Sequence, residues 1–455
     1  MDFQQEMIEE ENFLKNIFNR FRKKDFSGTG GQAIKNSSYQ LTQNLIFKFG
    51  SLAFTIIIAR MLLPELFGLY SLALATIVLF MSFSDLGLGA ALITFISEKL
   101  GKNKPKKAKG YFKKLLKWKL YVTFIAAAIL LASAYFVAEI YYAKPIFYAL
   151  LVGGIYLPVI SLLGFVEGIF KSSDQFKSPM IKEIILQVSR LVLVPLAIFF
   201  LLKMNLDNKT LVAFILLSLI ISYLLGFLFL MIVIKRKILF LKVKEEKINK
   251  KEIKGLKKFI LPLSATALSG IFFGYIDTLM LGHFVAAKFI AFYGAAFSLI
   301  GGLSTIIGFA AAGLLPIFAR KSGKSLENIF KKTRNFTLVI SVFAAIFTYF
   351  VAWWAIRIAY GVNYLEAVPI LKYFSILLII LPMAGIYDAY LISQKKTKVI
   401  AWLLVGTTIV NIILNYLGIT YGLQFGMFEA VLGACFATIV SRVIYFVGVW
   451  IFRGK

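Results

Sequence analysis

The sequence has few cysteines, histidines and acidic residues, and each shortage excludes a class of site. Cys435 is the only cysteine, which excludes an intrachain disulfide and a cysteine-based metal site. His283 is the only histidine, which excludes metal centres built from several imidazoles. No Walker-type phosphate loop or glycine-rich dinucleotide fingerprint occurs, so we expect no ATP-driven pump, no bound cofactor and no metal.

Hydrophobic residues dominate the chain instead. They make up 60% of its 455 residues, and charged residues make up 16%, against roughly 25% in soluble domains. With a mean hydropathy of +0.82, this apolar surface exceeds what a soluble core buries, so the sequence predicts a membrane protein. Lys and Arg number 51 against 22 Asp and Glu. Because the basic residues lie between apolar runs, we expect no nucleic-acid partner.

About twelve stretches are long and apolar enough to cross a bilayer as helices, which takes about 20 residues each. Most are too long for barrel strands and lack alternation, so the sequence predicts an all-α polytopic membrane protein. The predicted spans are 42–62, 67–96, 119–138, 146–170, 180–202, 210–234, 259–282, 290–317, 335–356, 367–392, 398–418 and 428–452.

Basic residues alternate between the two sides of these spans. Assigning each loop in turn places 41 of the 51 on the side of both termini, seven on the other side and three within spans. Because cytoplasmic loops retain Lys and Arg, the sequence predicts a multi-pass plasma-membrane protein with cytoplasmic N- and C-termini. Attraction to anionic membrane lipids is a secondary effect of the same charges.

The most polar internal stretch divides the spans into two sets of six. We predict a cytoplasmic amphipathic tail at 1–40, an N-terminal lobe at 41–235, a basic cytoplasmic linker at 236–257 and a C-terminal lobe at 258–455. A shift of about 223 residues aligns Tyr70 with Tyr293. Because each half has an even number of spans, the pseudo-repeat is parallel, and two such lobes imply a central cavity for alternating access.

Two groups of motifs carry a resemblance to a known family. Residues 59–70 read ARMLLPELFGLY, and residues 84–89 read SDLGLG. The second half adds DTLMLG at 277–282 and AFY at 291–293. Together with the number and spacing of the spans, these segments resemble polysaccharide (O-antigen, Wzx-type) flippases of the multidrug/oligosaccharidyl-lipid/polysaccharide (MOP) exporter superfamily.

The resemblance implies two six-helix lobes in a V around a central cavity, and a protein that is not an enzyme. It implies a flippase that turns a polyprenyl-pyrophosphate-linked oligosaccharide from the inner to the outer leaflet, for surface-polysaccharide or glycan assembly. Its partners would be the lipid-linked oligosaccharide, membrane lipids, H+ or Na+ as coupling ions, and glycan-assembly proteins. Two alternatives stay open: a cation-coupled drug or metabolite exporter with the same fold, and a membrane glycosyltransferase or glycan polymerase.

Three basic residues lie well inside predicted spans, more than five residues from either end, where a charge usually faces a cavity or a partner. Arg190 and Arg442 lie near the middle of spans five and twelve. We expect them to line the cavity and bind the pyrophosphate or acidic sugars, because guanidinium stays charged when desolvated and matches phosphate geometry. An ion pair within the same lobe is the alternative. Lys48 is the third candidate for substrate binding, with snorkelling to the headgroups as its alternative.

Three acidic residues within the spans, Asp277, Asp85 and Asp388, are candidates for binding a coupling proton or sodium ion. Asp277 ranks first because no basic residue lies within one helical turn of it. Neutralisation by an arginine is the alternative. Membrane potential is another source of drive, because moving an anion outward gains about 2.3 kcal/mol per charge per 100 mV. The sequence does not choose between these sources.

Overall fold

The computed structural model describes residues 28–204, 206–320 and 323–453, and this part of the chain is almost entirely helical. Most of the predicted tail at 1–40 lies outside the described residues. Ten of the described helices are long and apolar enough to span a membrane, and a bent pair makes an eleventh span. A break at Leu63 divides the longest helix into two. The prediction of an all-α polytopic protein with about twelve spans is thereby confirmed.

Twelve helices, α1 to α12, follow in chain order and form two lobes of six. The N-lobe contains α1 (28–62), α2 (64–85, continued as Leu88–Gly101), α3 (Pro105–Tyr135, extended by the π-helical turn Phe136–Tyr141), α4 (Phe147–Ser172), α5 (Lys177–Lys203) and α6 (Asn208–Lys237). The C-lobe contains α7 (Lys250–Phe284), α8 (Ala287–Arg320), α9 (Gly323–Tyr360), α10 (Ala367–Phe374 with Leu377–Ser393), α11 (Thr397–Gly422) and α12 (Met427–Arg453).

Local sequence explains where several helices begin and end. Leu63, with φ 60° and ψ 168°, leaves the helical region directly before Pro64, whose ring disfavours helical backbone in the preceding residue. Helix α7 begins at Lys250 rather than near residue 259. A reciprocal capping box explains the earlier start, because Asn249 accepts the Glu252 N–H and Glu252 accepts the Asn249 N–H.

The two lobes repeat the same packing. Helix α4 packs against α6 as α10 packs against α12, and α5 packs against α6 as α11 packs against α12. Ser51 of α1 contacts α5, and Ser269 of α7 contacts α11 in the same way. This agreement of neighbours confirms the parallel pseudo-repeat.

The lobes meet at one end of the bundle and separate toward the other. We call the end formed by residues 102–104, 173–176, 238–249 and 394–396 the basic end, and the end formed by 142–146, 285–286, 361–366 and 423–426 the closed end. Among the described residues, buried apolar side chains form one cluster across both lobes toward the closed end. Toward the basic end they divide into two clusters, one centred on each lobe.

Direct contacts between the lobes hold the closed end together. Tyr364 donates to the Ala59 carbonyl at 2.9 Å, and Lys144 donates to the Gly282 carbonyl at 2.6 Å. Gly68 lies so close to α8 that a Cβ at this position would overlap the Ala287 carbonyl. Glycine is therefore needed here for the approach of two backbones.

Candidate functional site

A cavity of about 760 Å³ lies between the lobes. Its walls come from α1, α2 and α4 to α6 of the N-lobe and from α7 and α8 of the C-lobe. It runs from Glu167 and Lys171, near the basic end, to Phe67 and Tyr70, near the closed end. The volume lies in the upper part of the range for small-molecule sites, roughly 300–1,000 Å³.

The two walls of this cavity differ in charge. Its C-lobe wall has no ionisable acid or base, and the residues there are Gly274, Tyr275, Thr278, Tyr293, Gly294, Phe297 and Ser298. All charged lining residues belong to the N-lobe: Glu167, Lys171, Lys182, Glu183 and Arg190. The N-lobe wall adds three tyrosines, Tyr70, Tyr156 and Tyr223. The cavity thus combines one charged wall with aromatic surfaces.

Arg190 supplies the charge that is not balanced within this cavity. Its guanidinium donates to Ser51 Oγ at 2.8 Å and lies 4.6 Å from the centre of the Phe54 ring. Its Nε has no hydrogen-bond partner among the described residues, and no carboxylate of those residues lies within 4 Å. The other charged lining residues are two lysines and two glutamates, whose charges cancel, so the cavity keeps one net positive charge at mid-span.

The four remaining charges form a contiguous network near the basic end. Lys182 Nζ lies 2.7 Å from Glu167 and 2.8 Å from Glu183. Lys171 also contacts Glu167, at 2.7 Å. Gln43 donates to Glu167, and Gln187 donates to Glu183, at 2.8 Å and 2.6 Å. All these side chains come from α1, α4 and α5.

Lys48 lies at a lateral gap beside the cavity. The gap, of about 480 Å³, separates α1 from α8 and α10 of the other lobe. Asn44 and Phe47 line both the gap and the cavity, so the two spaces adjoin. On the opposite side, Phe95 of α2 packs edge-on against Phe259 of α7 with ring centres 5.2 Å apart. The lobes are therefore separated laterally on the side of Lys48.

Arg442 does not line the central cavity. It lies in a pocket of about 250 Å³ within the C-lobe, together with Asp388, Tyr445 and Phe273. Its guanidinium donates to the Phe273 carbonyl at 2.6 Å and stacks 3.5 Å from the centre of that ring. Asp388 accepts a hydrogen bond from Tyr445 at 2.8 Å. The expectation of two cavity arginines is corrected in this respect, because the face of α12 that carries Arg442 turns into its own lobe.

Asp277 is buried behind the C-lobe wall of the cavity. Its carboxylate accepts hydrogen bonds from Tyr293, at 2.9 Å, and Asn415, at 2.6 Å. Tyr293 in turn contacts Thr438 and lines the cavity. No lysine or arginine nitrogen of the described chain lies within 4 Å of this carboxylate. Asp277 is thus held by neutral donors next to the cavity wall.

Asp85 forms an ion pair instead of a free intramembrane carboxylate. It lies 3.1 Å from Lys119 Nζ and accepts the Gly89 N–H where α2 resumes. Lys119 is fully buried and also donates to the Ser84 carbonyl. The structure therefore supports the neutralisation alternative for Asp85, with a lysine rather than an arginine as partner.

Sequence reasoning did not single out Lys119, Lys182, Glu183 or Gln187 as intramembrane polar residues. Lys119 and Lys182 lie within a few residues of basic loops and were counted with them as topology signals. Glu183 directly follows Lys182, and Gln187 lies one helical turn, four residues, after Glu183. Polar residues one turn apart at the end of an apolar run are the signal that could have identified this wall.

Comparison with known proteins identifies the same architecture. A family model described as "Polysaccharide biosynthesis protein" matches residues 33–322, and the MatE model matches residues 262–417. The search of curated protein sequences found no match. Among solved structures, an inward-facing multidrug resistance MATE family transporter of the MOP superfamily has a TM-score of 0.68 at 14% identity, covering 89% of this chain and 94% of that chain.

Two further solved structures share this fold. The lipid II flippase MurJ, in an inward closed conformation, has a TM-score of 0.65 at 15% identity, covering 91% of this chain and 87% of that chain. A MATE transporter from Vibrio cholerae has a TM-score of 0.57 at 15% identity, with coverage of 93% and 97%. At these identities the likeness concerns the fold, and it confirms two lobes around a central cavity.

Proposed function

Because the chain belongs to the polysaccharide biosynthesis protein family of the MOP exporter superfamily, we propose that it flips an anionic lipid-linked oligosaccharide across the plasma membrane by alternating access. The membership predicted from the motifs at 59–70 and 84–89 is confirmed by the family match. The observation that carries the proposed substrate is Arg190, the unbalanced cation in the central cavity. The pyrophosphate of a polyprenyl-linked glycan would supply the negative charge that balances this cation.

The surroundings of Arg190 suit a phosphate group. Ser51 and Phe54 orient the guanidinium, and its Nε is left without a protein partner. Guanidinium offers paired donors that match phosphate oxygens and keeps its charge when it is desolvated. The tyrosines deeper in the cavity offer hydroxyl groups and flat apolar faces to sugar rings. We place the pyrophosphate at Arg190 and the glycan toward the closed end.

The lateral gap gives the lipid tail a route. A polyprenyl chain cannot be enclosed in a cavity of this size and must stay in the bilayer. The gap beside Lys48 adjoins the cavity through Asn44 and Phe47 and opens between the lobes. Lys48, which is exposed at this gap, is placed to attract the phosphate during loading.

We assign the basic end to the cytosol, so that the cavity opens toward the inner leaflet. The asymmetry of 41 against seven basic residues supports this orientation. Substrate would then be supplied by glycan-assembly enzymes on the inner leaflet and released outside.

A cation-coupled drug exporter of the same superfamily is the nearest alternative. Such a protein needs an acidic cavity for organic cations, whereas both cavity glutamates here are paired with lysine. The pairing also argues against a glycan polymerase, because the two carboxylates are held in ion pairs near the basic end. The net positive charge at Arg190 favours an anionic substrate.

Coupling to ions is assigned to Asp277 as the leading candidate. It is a buried carboxylate with neutral donors and lies behind the cavity residue Tyr293, where an ion and the substrate could influence each other. Asp85 is already paired with Lys119. Asp388 has Tyr445 as its partner in a separate pocket and is the second candidate. If Asp277→Asn keeps the full dependence of transport on an imposed ion gradient, this assignment is wrong.

Reconstitution tests the proposed activity. Purified protein in vesicles is supplied with a labelled polyprenyl-pyrophosphate oligosaccharide, and outer-leaflet exposure is followed by accessibility to a glycosidase. Arg190→Gln should slow flipping about 10- to 100-fold, because a charge-assisted hydrogen bond contributes roughly 1.5–3 kcal/mol. Arg357→Gln is the control, since it removes an exposed arginine that lies over Trp353 outside the cavity, and its flipping rate per folded molecule should stay near wild type. Equal rates for Arg190→Gln and wild type would contradict the proposal.

A further inference from the structure

An ion cluster on the N-lobe wall is enclosed by protein rather than presented to an anionic substrate. Lys182 and Glu183 are each 4% exposed. The lysine ammonium lies between two carboxylates from different helices, at 2.7 Å from Glu167 of α4 and 2.8 Å from Glu183 of α5. An ammonium group held in this way has both attractive partners within hydrogen-bond distance and does not act as a free phosphate ligand.

The surrounding side chains supply further oxygen atoms. Gln43 and Gln187 each donate Nε2 to one of the two carboxylates and leave Oε1 buried without a partner among the described residues. Carboxylate and amide oxygens are the ligands that hard cations prefer. The two carboxylates offer a hard cation its preferred oxygen ligands, and the Lys182 ammonium group lies between them, where such a cation would be.

Glycine residues on neighbouring helices make room for this arrangement. A Cβ at Gly226 of α6 would lie 3.3 Å from Lys182 Cγ, which is closer than ordinary contact. A Cβ at Gly50 of α1 would overlap the side-chain amide of Gln187. Because glycine has no side chain, Gly226 leaves room for the stem of Lys182 and Gly50 leaves room for Gln187. This close packing holds the ammonium group in place.

We propose that this cluster is a cation site of the N-lobe whose permanent occupant is the Lys182 ammonium group. The charged groups that face it are Glu167 and Lys171 from α4 and Glu183 and Arg190 from α5, while α1 and α6 contribute Gln43 and Gly226. An ion from solution would have to displace a cation that is tethered at high effective concentration. The N-lobe therefore takes no coupling ion from solution, and ion coupling belongs to the C-lobe.

Removal of the occupant tests this proposal. Lys182→Ala leaves Glu183 buried without a cation, while Glu167 keeps Lys171. Because a ligand that binds the folded state raises its stability, the melting temperature of the purified variant should rise saturably with NaCl, compared with choline chloride at equal ionic strength, or with falling pH. Any difference that the wild type shows between the two salts belongs to the C-lobe and should be unchanged in Glu183→Gln.

Lys171→Ala is the matched control. It removes a lysine from the same cluster but leaves Lys182 between its two carboxylates, so its melting temperature should depend on the choice of cation no more than that of the wild type. If Lys182→Ala does not fold under any of these conditions, the double variant Lys182→Ala/Glu183→Gln should fold and depend on sodium no more than the wild type, because it removes cation and carboxylate together.

Three results would overturn the proposal. The first is a foldable Lys182→Ala whose melting temperature responds neither to sodium nor to pH. The second is a double variant that also fails to fold. The third is sodium stabilisation of the wild type that Glu183→Gln abolishes. All these measurements are made without substrate, so their failure is distinguishable from failure of the proposed flippase activity.

Discussion

At the residue scale, similar intramembrane arginines have different surroundings. Arg190 and Arg442 each lie over a phenylalanine ring, Phe54 and Phe273, yet one faces the cavity between the lobes and the other a pocket within one lobe. The sequence predicts both as mid-span charges because their neighbours are apolar. It does not predict which face is turned to the cavity, because that depends on helix rotation within the bundle.

The different burial of Asp85 and Lys119 predicts which of two substitutions in this ion pair destabilises the protein more. The lysine side chain is 2% exposed and the aspartate side chain 46% exposed. Asp85→Asn leaves a buried ammonium group without its counter-ion, which costs up to about 3–5 kcal/mol. Lys119→Met leaves a half-exposed carboxylate that protein does not enclose, so its cost should be smaller.

Thermal melting of the two purified variants measures this order. Asp85→Asn should lower the melting temperature more than Lys119→Met does. The opposite order would contradict this prediction, because it would mean that the unpaired carboxylate costs more stability than the unpaired ammonium group. Asp85→Asn should not alter the ion dependence of transport, because the Asp85 carboxylate is already paired with Lys119.

At the scale of elements, the linker between the lobes is bound to α3. The Glu246 N–H donates to the Lys106 carbonyl at 3.0 Å, and Lys109 donates to the Val243 carbonyl at 2.7 Å. Lys113 pairs with Glu245 at 2.6 Å, and this hydrogen bond lowers the pKa of the Glu245 carboxyl. These contacts attach the linker to the N-lobe, so relative motion of the lobes must be absorbed after residue 249.

Gly110 controls this attachment. A Cβ at Gly110 would overlap the Glu246 carbonyl, so Gly110→Ala should displace the linker and speed tryptic cleavage at Lys244 and Lys247. Gly255→Ala is the matched control, because no atom lies within 4 Å of a Cβ there. Both changes gain helix propensity, roughly 0.5–1 kcal/mol, so a difference between them reports the contact. Equal cleavage rates would contradict the account of the linker.

The sequence predicts those parts of the helices that coincide with long apolar runs. The span at 180–202 falls within α5, because the run of apolar residues ends at charged loops on both sides. The start of α7 at Lys250 was not predicted, because its first turns are polar and their helix depends on the capping box of Asn249 and Glu252. The lysines and glutamates of the cavity wall were obscured in the same way by nearby loop charges.

At the scale of the whole molecule, the pseudo-repeat brings equivalent positions into contact at the closed end. Glu65 accepts the backbone N–H of Lys288 at 3.1 Å, and the two positions are 223 residues apart, which is the shift that aligns the halves. Contact between equivalent positions places the pseudo-twofold axis at this point, between α2 and α8. The motif at 59–70 is thus part of the contact between the lobes that closes the cavity at the closed end.

Alternating access requires this end to open. Tyr141 of the N-lobe stacks on His283 of the C-lobe with ring centres 4.6 Å apart, and His283 Nδ1 donates to the Tyr141 carbonyl. Cysteines at these two positions, in a Cys435→Ser background, can be joined by a short thiol cross-linker that a reducing agent cleaves. Tyr421→Cys/Phe425→Cys, with ring centres 5.4 Å apart within the C-lobe, is the matched control.

Flipping of the labelled polyprenyl-pyrophosphate oligosaccharide by the cross-linked protein is the most direct test of the central claim. The account predicts that joining positions 141 and 283 stops flipping, that reduction restores it, and that the control cross-link has no effect. Flipping at the full rate while the two lobes stay joined at the closed end would contradict the account.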